Sequence, residues 1–269
     1  MSKSQNSSQG QGRIRGQAEG ALFWLTFENE ARMNALNESM WAALPDLIEQ
    51  AEADEDVRVI ILRGAGTKAF SAGADISEFG TQRTGKTAKA YDQLNQAAFD
   101  ALAYCAKPTL AMISGFCMGG GLELALCCDL RLANEEAQFS IPAAKLGIGY
   151  NPRWFRPLLA VVQAAKLKDL IYTGRRLGAR EALAIGIVNE VCASDAFEAR
   201  TLGVAQTIAA NAPLSIRAAK QAIDAHAQTL SQAQMAELDA LVEACFDSDD
   251  YREGQAAFKK KRPPHFRGR

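Results

Sequence analysis

The chain has 269 residues, of which 48% are hydrophobic, and its 30 basic side chains nearly balance 31 acidic ones. This near-neutral charge argues against a broadly basic protein that binds nucleic acid and against a polyacidic tail protein. No stretch approaches the roughly 18 apolar residues that a membrane-spanning helix needs, so we expect no membrane partner.

Six cysteines and two histidines are scattered along the chain, and no two cysteines have the Cys-x-x-Cys spacing that is typical of zinc sites. We therefore expect no metal site. No apolar segment follows Lys3, so the sequence predicts no signal peptide. These features favour a cytoplasmic protein whose thiols are reduced and mostly buried.

The segment 1–12 is rich in Ser, Gln and Gly, which predicts a disordered tail. Apolar and β-branched stretches predict strands at 21–28, 57–62, 109–113, 129–133 and 188–191. Helical spacing predicts a helix over 38–53 with Asn37 as its N-cap, and further helices over 87–105 and 122–127. After Pro213 the pattern is helical throughout, at 214–227, 230–246 and 250–261. This order predicts an α/β fold with mixed connections, in which residues 13–200 form the core and residues 201–269 form a helical C-terminal region.

A glycine-rich turn is the most informative feature. An apolar strand runs into Gly119-Gly120-Gly121, and a helix begins there with Glu123 in its first turn. Free N–H groups at a helix start can hold an anion, or an oxygen that becomes anionic in a transition state. The alternative is that the glycines only allow close packing of helix on sheet and that Glu123 only complements the helix dipole.

A second turn of small residues lies within the segment 68–79 and follows the strand at 57–62. Two such turns side by side can each supply one N–H group to a single oxygen. A thioester carbonyl that becomes an enolate needs this arrangement of two donors. The pair of turns therefore favours chemistry on a thioester over a purely structural role.

The motif F-S-A-G-A-D-I at 70–76, followed by G-G-G-L-E-L-A-L-C-C-D at 119–129, closely resembles the enoyl-CoA hydratase/isomerase (crotonase) superfamily. The resemblance extends from about residue 21 to the C-terminus and includes R-M-N-A-L-N at 32–37 and A-L-A-I-G-I-V at 182–188. It implies a ββα spiral core with a C-terminal helical region for oligomerisation. It also implies an acyl-CoA substrate, no tightly bound cofactor beyond the coenzyme A of that substrate, and assembly as a homotrimer or homohexamer.

The resemblance also implies roles for individual residues. The backbone N–H groups of Ala74 and Gly120 would bind the thioester oxygen, and Glu123 matches the first catalytic glutamate of the hydratases. Further positions would contact the substrate and its coenzyme A, namely Ala35, Leu36, Ala72, Asp75, Ile76, Gly119, Pro142, Phe258 and Lys261. The family brings the last two toward the nucleotide, partly from a neighbouring subunit.

The chain departs from the hydratase pattern at Ala143, where true hydratases carry a second glutamate. Alanine cannot titrate, so Glu123 would stand alone as acid and base. The segment L-G-I-G-Y-N at 146–151 resembles methylmalonyl-CoA decarboxylases, whose tyrosine lies near the departing carboxylate. A hydratase-type lyase is the preferred interpretation. A decarboxylase that uses Tyr150, an isomerase, and a non-catalytic protein that binds CoA esters remain open, and Tyr150 could instead be an ordinary tyrosine of the acyl pocket.

Two competing signals are weaker. The segment G-T-Q-R-T-G-K-T at 80–87 matches the phosphate-binding loop of NTPases in form. The residues before it are polar and do not predict the buried strand that such a loop requires, so we interpret it as a polar lid over the acyl pocket. Neither His226 nor His265 lies near a nucleophile motif, which argues against a Ser-His-Asp hydrolase.

Overall fold

The main sheet has six strands in a computed structural model that describes residues 12–78, 85–226 and 231–269. Residues 1–11 of the predicted tail and residues 80–84 of the predicted lid lie outside this description. The strands are β1 (Arg13–Glu19), β2 (Leu22–Glu28), β3 (Val59–Gly64), β5 (Thr109–Ile113), β7 (Leu130–Asn134) and β10 (Glu190–Cys192). They are hydrogen-bonded in the order β1-β2-β3-β5-β7-β10. The first pair is antiparallel, and all the others are parallel.

A second sheet contains four short strands, β4 (Ala69–Ser71), β6 (Phe116–Met118), β8 (Gln138–Ser140) and β9 (Leu177–Gly178). The first three pair in parallel, and β9 is antiparallel to β8. Each of the first three follows a long strand of the main sheet, so the chain steps repeatedly from one sheet to the other. Between β5 and β6 the step requires Gly115, whose φ is +62° and whose Cβ would lie 2.0 Å from the Lys68 carbonyl oxygen.

The helices cover the sheets and form the C-terminal region. They are α1 (Glu38–Ala53), α2 (Gly85–Ala103), α3 (Gly120–Cys127), α4 (Phe155–Val161), α5 (Ala164–Thr173), α6 (Ala179–Ala184), α7 (Phe197–Ala210), α8 (Pro213–Ala225), α9 (Gln232–Asp247) and α10 (Asp249–Lys260). Helix α1 begins where the sequence predicts, because the Asn37 side chain accepts a hydrogen bond from the Met40 amide. It packs against α2. None of the described helices is long and apolar enough to cross a bilayer.

The burial of strand β2 on both faces explains why the predicted strand at 21–28 is apolar throughout and does not alternate. Phe23, Leu25 and Phe27 point into the larger core, which the helices α1 to α5 share. Leu22 and Trp24 point into a second core, which also contains Phe197 and Ala205 of α7. A strand that is buried on both faces is expected to be apolar throughout.

The six cysteines are free thiols, and five of them are buried. Burial raises the pKa of the Cys105 thiol to about 12. Burial also raises the pKa values of Cys117 and Cys127 well above the ordinary range. These three thiols are therefore protonated and weakly nucleophilic at neutral pH.

The predicted α/β class with a helical C-terminal region is confirmed, and the strand predicted at 109–113 has those ends in the structure. The prediction is wrong in three respects. Strand β1 and the whole second sheet were not predicted, because β1 is mostly exposed and the strands of the second sheet are two or three residues long. Helix α7 (Phe197–Ala210) was not predicted, because the helical pattern was recognised only after Pro213. The two small-residue turns follow β4 and β6 of the second sheet, not the long strands of the main sheet.

Candidate active site

The two small-residue turns lie next to each other. They follow β4 and β6, which are neighbouring parallel strands, so their ends meet at the same edge of the second sheet. A Cβ built on Gly73 would lie 3.3 Å from the Gly120 amide nitrogen. A Cβ built on Gly120 would lie 3.9 Å from the Ala74 amide nitrogen. The backbone therefore brings the Ala74 and Gly120 amides into the same small region.

Other amides around these two are already used by the fold. The Leu36 amide donates to the Gly73 carbonyl at 2.8 Å, and the Asp75 amide donates to the Leu36 carbonyl at 2.9 Å. The Gly119 amide donates to the Ser140 carbonyl at 2.8 Å. Within the described residues, no carbonyl accepts a backbone hydrogen bond from Ala74 or Gly120. Their N–H groups can therefore serve an oxygen that enters the site.

Glycine is required at two positions beside these amides. Gly73 has a φ of +90°, and its Cβ would lie 2.7 Å from the Met118 carbonyl oxygen. Gly119 is the N-cap of α3 and has a φ of +48°. Such dihedral angles are unfavourable for other residues. Glycine thus sets the direction of the amides that follow.

Glu123 lies in the first turn of α3, one turn after Gly119, and its own amide donates to the Gly119 carbonyl at 3.1 Å. Its side chain is only 3% exposed. Helix α3 can approach β4 closely because residue 121 is glycine, since a Cβ there would lie 2.7 Å from the Ser71 Cβ. This close approach holds Glu123 beside the two turns.

Glu123 lines a cavity of about 90 Å³, which we call the Glu123 cavity. Its apolar and aromatic wall consists of Trp41, Ile76, Phe99, Ile141, Leu146, Ile148, Tyr150 and Trp154. The remaining lining residues are Ala72, Gly73, Ala74, Asn95, Gly119, Gly120, Pro142 and Ala143. A carboxyl group, two amides and an apolar wall therefore meet in one small space.

The aromatic part of the wall is a continuous series of rings from α1 to α4. Trp41 contacts Phe99 with ring centres 5.5 Å apart, and Phe99 contacts Trp154 at 5.8 Å. Trp154 contacts Tyr150 at 5.4 Å, and Tyr150 contacts Phe155 at 5.4 Å. The first three contacts are edge-to-face, an arrangement that aromatic rings favour, and the fourth is tilted. The Tyr150 ring is thus a packed part of the wall.

The structure brings eight of the predicted site residues onto the cavity, namely Ala72, Ala74, Ile76, Gly119, Gly120, Glu123, Pro142 and Tyr150. Ala143 also lines it. Ala35, Leu36 and Asp75 do not line it. Leu36 forms a β-bridge with Ala74, and its side chain is fully buried in the core. Phe258 and Lys261 lie at the end of α10, where Phe258 is 87% exposed.

Asp75 organises the segment that follows Ala74. Its carboxylate accepts hydrogen bonds from the Ser77 amide at 3.0 Å and from the Ser77 hydroxyl at 2.7 Å, and it pairs with the Arg32 guanidinium. Burial alone would raise the pKa of this carboxyl, but the hydrogen bonds from Ser77 and Arg32 outweigh it and lower the pKa. Asp75 is therefore ionised at neutral pH and fixes the backbone after Ala74.

Sequence reasoning missed several residues of the cavity, above all Trp41, Asn95, Phe99 and Trp154. Trp41 and Phe99 follow the apolar spacing of their helices and cannot be told from ordinary core residues in a sequence. Asn95 offered a usable signal, because it interrupts the buried face of α2 between Tyr91 and Phe99. A polar side chain on an apolar helix face suggests either a buried hydrogen bond or a ligand.

A larger open cleft of about 570 Å³ lies elsewhere and shares no lining residue with the Glu123 cavity. Charged side chains of both signs border it, including Arg15 and Glu28, which form an ion pair at 2.8 Å. These two charges largely neutralise each other.

Comparison with known proteins agrees with this geometry. A family model described as Enoyl-CoA hydratase/isomerase matches residues 17–269. A short-chain-enoyl-CoA hydratase of Clostridium acetobutylicum is 35% identical over 91% of this chain and 93% of its own length. A crotonyl-CoA hydratase of Syntrophomonas wolfei is 34% identical over 92% of this chain and 95% of its own length.

The solved structures agree as well. An enoyl-CoA hydratase/carnithine racemase from Magnetospirillum magneticum superimposes with a TM-score of 0.91 and is 40% identical. The match covers 95% of this chain and 96% of that one.

Proposed function

This chain belongs to the enoyl-CoA hydratase/isomerase family, and from that membership we propose that it adds water to the double bond of a short enoyl-CoA thioester. The observation that carries the proposal is the meeting of the Ala74 and Gly120 amides with Glu123 in one cavity. The names of the relatives, which include short-chain and crotonyl-CoA hydratases, support the same reaction.

In the proposed mechanism the thioester oxygen accepts hydrogen bonds from Ala74 and Gly120. Addition of water at the β-carbon moves electrons through the α-carbon to this oxygen, which becomes the oxygen of an enolate. Two fixed donors stabilise the developing charge without reorganising. Gly120 is also the first residue of α3, so the helix dipole favours negative charge at the same place.

Glu123 supplies the proton chemistry. Its carboxylate takes a proton from water while the hydroxide bonds to the β-carbon. The carboxylic acid then returns that proton to the α-carbon, which restores the carboxylate and completes the addition of one water molecule. Ala143 cannot share this work, so we assign both transfers to Glu123. The reaction needs no cofactor beyond the coenzyme A of the substrate.

The size of the cavity favours a short acyl group. A volume of about 90 Å³ is far below the ~300–1,000 Å³ of typical sites for larger ligands. The aromatic rings from Trp41 to Tyr150 line it and contact one another edge to face. Crotonyl-CoA is therefore a suitable first substrate to test.

We propose that the coenzyme A part binds along the Ala35, Ala72 and Asp75 segment, with Leu36, Gly119 and Pro142 supporting it. Phe258 and Lys261 would reach the nucleotide of a substrate bound to a neighbouring copy. We propose assembly as a homotrimer or homohexamer. Exposed apolar side chains of the C-terminal helices support association between copies, since Ile223 is 73% and Phe246 is 58% exposed.

The direct test of the mechanism is Glu123→Gln, which keeps the shape of the side chain and removes its acid–base function. We expect the kcat for crotonyl-CoA hydration to fall by about 10²–10⁴. Binding of a saturated acyl-CoA, measured by calorimetry, should change little because the amides remain. Glu49→Gln, at an exposed position of α1, is the matched control and should leave kcat unchanged. Unchanged turnover in Glu123→Gln would refute the assigned role.

A further inference from the structure

Two side chains in the wall of the Glu123 cavity carry hydrogen-bond donors for which no described residue provides an acceptor. They are the Asn95 amide nitrogen Nδ2 and the Trp41 indole nitrogen Nε1. Both side chains are buried, with exposures of 3% for Asn95 and 1% for Trp41. Unsatisfied buried donors are uncommon in native proteins, because burial removes their water partners and nothing replaces them. An acceptor that enters this cavity could satisfy both donors.

The two donors belong to one stretch of the wall. Asn95 lies on α2 one helical turn before Phe99, and the Phe99 ring contacts the Trp41 ring at 5.5 Å with an interplanar angle of 76°. The Trp41 ring also borders the amide turn, since a Cβ on Gly120 would lie 3.1 Å from its Cη2 and Cζ2 atoms. An acyl chain whose thioester oxygen is bound at Gly120 would therefore extend along this stretch.

The charges around the cavity define the kind of acceptor. Among the described lining residues there is no lysine, arginine or histidine, and Glu123 is the sole carboxylic acid. A carboxylate on the acyl chain would enter without a compensating cation and would be repelled by an ionised Glu123. A neutral oxygen accepts hydrogen bonds from both donors without that cost.

We propose that Asn95 and Trp41 donate hydrogen bonds to a neutral oxygen, such as an ether or keto oxygen, carried by the acyl chain of the substrate. This inference rests on the proposed function in taking an acyl-CoA thioester as the ligand. Asn95 and Trp41 are then residues that determine specificity, and the preferred substrate class is oxygen-substituted short acyl-CoA thioesters.

Binding of two isosteric, unreactive ligands tests the proposal. They are hexanoyl-CoA and the analogue in which one methylene distal to the thioester is replaced by an ether oxygen. Calorimetry on the full-length protein should show that the ether binds about three- to tenfold more tightly, the value of a net hydrogen bond. Asn95→Leu should abolish this preference. Trp41→Phe keeps an aromatic ring, removes Nε1 and should reduce the preference for the ether. This second variant tests the proposal even if Asn95→Leu does not fold.

Gln96→Leu is the matched control, because Gln96 is the neighbour of Asn95 on α2 and does not line the cavity. It should keep the preference. Equal binding of the two ligands by the wild-type protein, or a preference that survives both Asn95→Leu and Trp41→Phe, would overturn the proposal. Crotonyl-CoA hydration by the same preparation separates the two hypotheses. Hydration without an ether preference rejects only this inference, and an ether preference without hydration rejects only the proposed reaction.

Discussion

Gly120 contributes to the site through its backbone, and this makes its role testable with two substitutions. Gly120→Pro removes the N–H donor, and proline is tolerated at the first position of a helix. Gly120→Ala keeps the donor but adds the same Cβ, which would lie 3.1 Å from the Trp41 ring. The added Cβ is common to both variants, so their difference tests the loss of the N–H donor together with the constraint of the proline ring.

We expect the kcat of Gly120→Pro to lie about 10²–10³ below that of Gly120→Ala, which corresponds to about 2.7–4 kcal/mol of transition-state stabilisation. Steady-state kinetics with crotonyl-CoA measure the ratio, and circular dichroism checks that both variants fold. Equal kcat values for two folded variants would mean that the Gly120 amide does not bind the reacting oxygen.

The sequence was sufficient to predict candidate site residues that belong to one short continuous motif. Gly119, Gly120 and Glu123 form a strand–turn–helix pattern that can be read directly from neighbouring positions. Asn95 and Trp41 were not predicted, because their place in the cavity wall depends on which helix face reaches the cavity. That relation is set by the packing of α1 on α2, and a single sequence does not encode it in a local pattern.

Helix α1 carries Trp41 into the cavity, and its first turn is fixed by Asn37. The Asn37 Oδ1 atom accepts hydrogen bonds from the Met40 amide at 2.9 Å and from the Ser39 hydroxyl at 2.8 Å. Its Nδ2 atom donates to the Gly12 carbonyl at 3.1 Å. Asn37 therefore caps the helix and ties it to the chain before β1.

We expect Asn37→Ala to lower the free energy of unfolding by about 0.5–2 kcal/mol, because the Met40 amide loses its acceptor. Urea denaturation followed by circular dichroism measures the change. Asn37→Asp keeps a capping oxygen and should lose less. If both variants matched the wild-type protein, the cap would contribute nothing to stability.

The long elements were predictable from the sequence and the short ones were not. Strand β5 and helix α1 have strong apolar patterns of their own, and the predicted ranges match the observed ones. Strands β4, β6 and β8 have three residues each and exist because each pairs with a neighbour distant in the sequence. Such short strands carry no periodic signal.

At the scale of the whole molecule, Lys220 joins the C-terminal helices to the main sheet. Its ammonium group, on α8, donates to the Asp129 carboxylate at 2.8 Å and to the Lys107 carbonyl at 3.0 Å. The Asp129 carboxylate also accepts from the Thr109 amide of β5 at 2.7 Å. The Lys220 side chain is only 8% exposed, so water screens this contact weakly.

We expect Lys220→Met to lower the free energy of unfolding by about 1.5–3 kcal/mol, since it removes charged hydrogen bonds from a buried position. A double-mutant cycle with Asp129→Asn should give a coupling energy of about 0.5–3 kcal/mol. Lys168→Met, at an exposed position of α5, is the control and should have little effect. Additive effects in the cycle would show that the pair does not connect the two regions.

The order of the strands and the contact of Lys220 on α8 with Asp129 could not be derived from local patterns. Family resemblance supplied the fold, and the physical reason for that limit is visible in Lys220 and Asp129. They are 91 residues apart in sequence. No local pattern around either residue predicts that the two are in contact.

The most direct test of the central claim is the mass balance of crotonyl-CoA in water enriched in heavy oxygen. Mass spectrometry should detect a product that has gained one water molecule, with the heavy oxygen on the acyl group, and Glu123→Gln should form this product far more slowly. An acyl-CoA of unchanged mass, or loss of carbon dioxide from a malonyl-type ester by a protein that leaves crotonyl-CoA intact, would contradict the account.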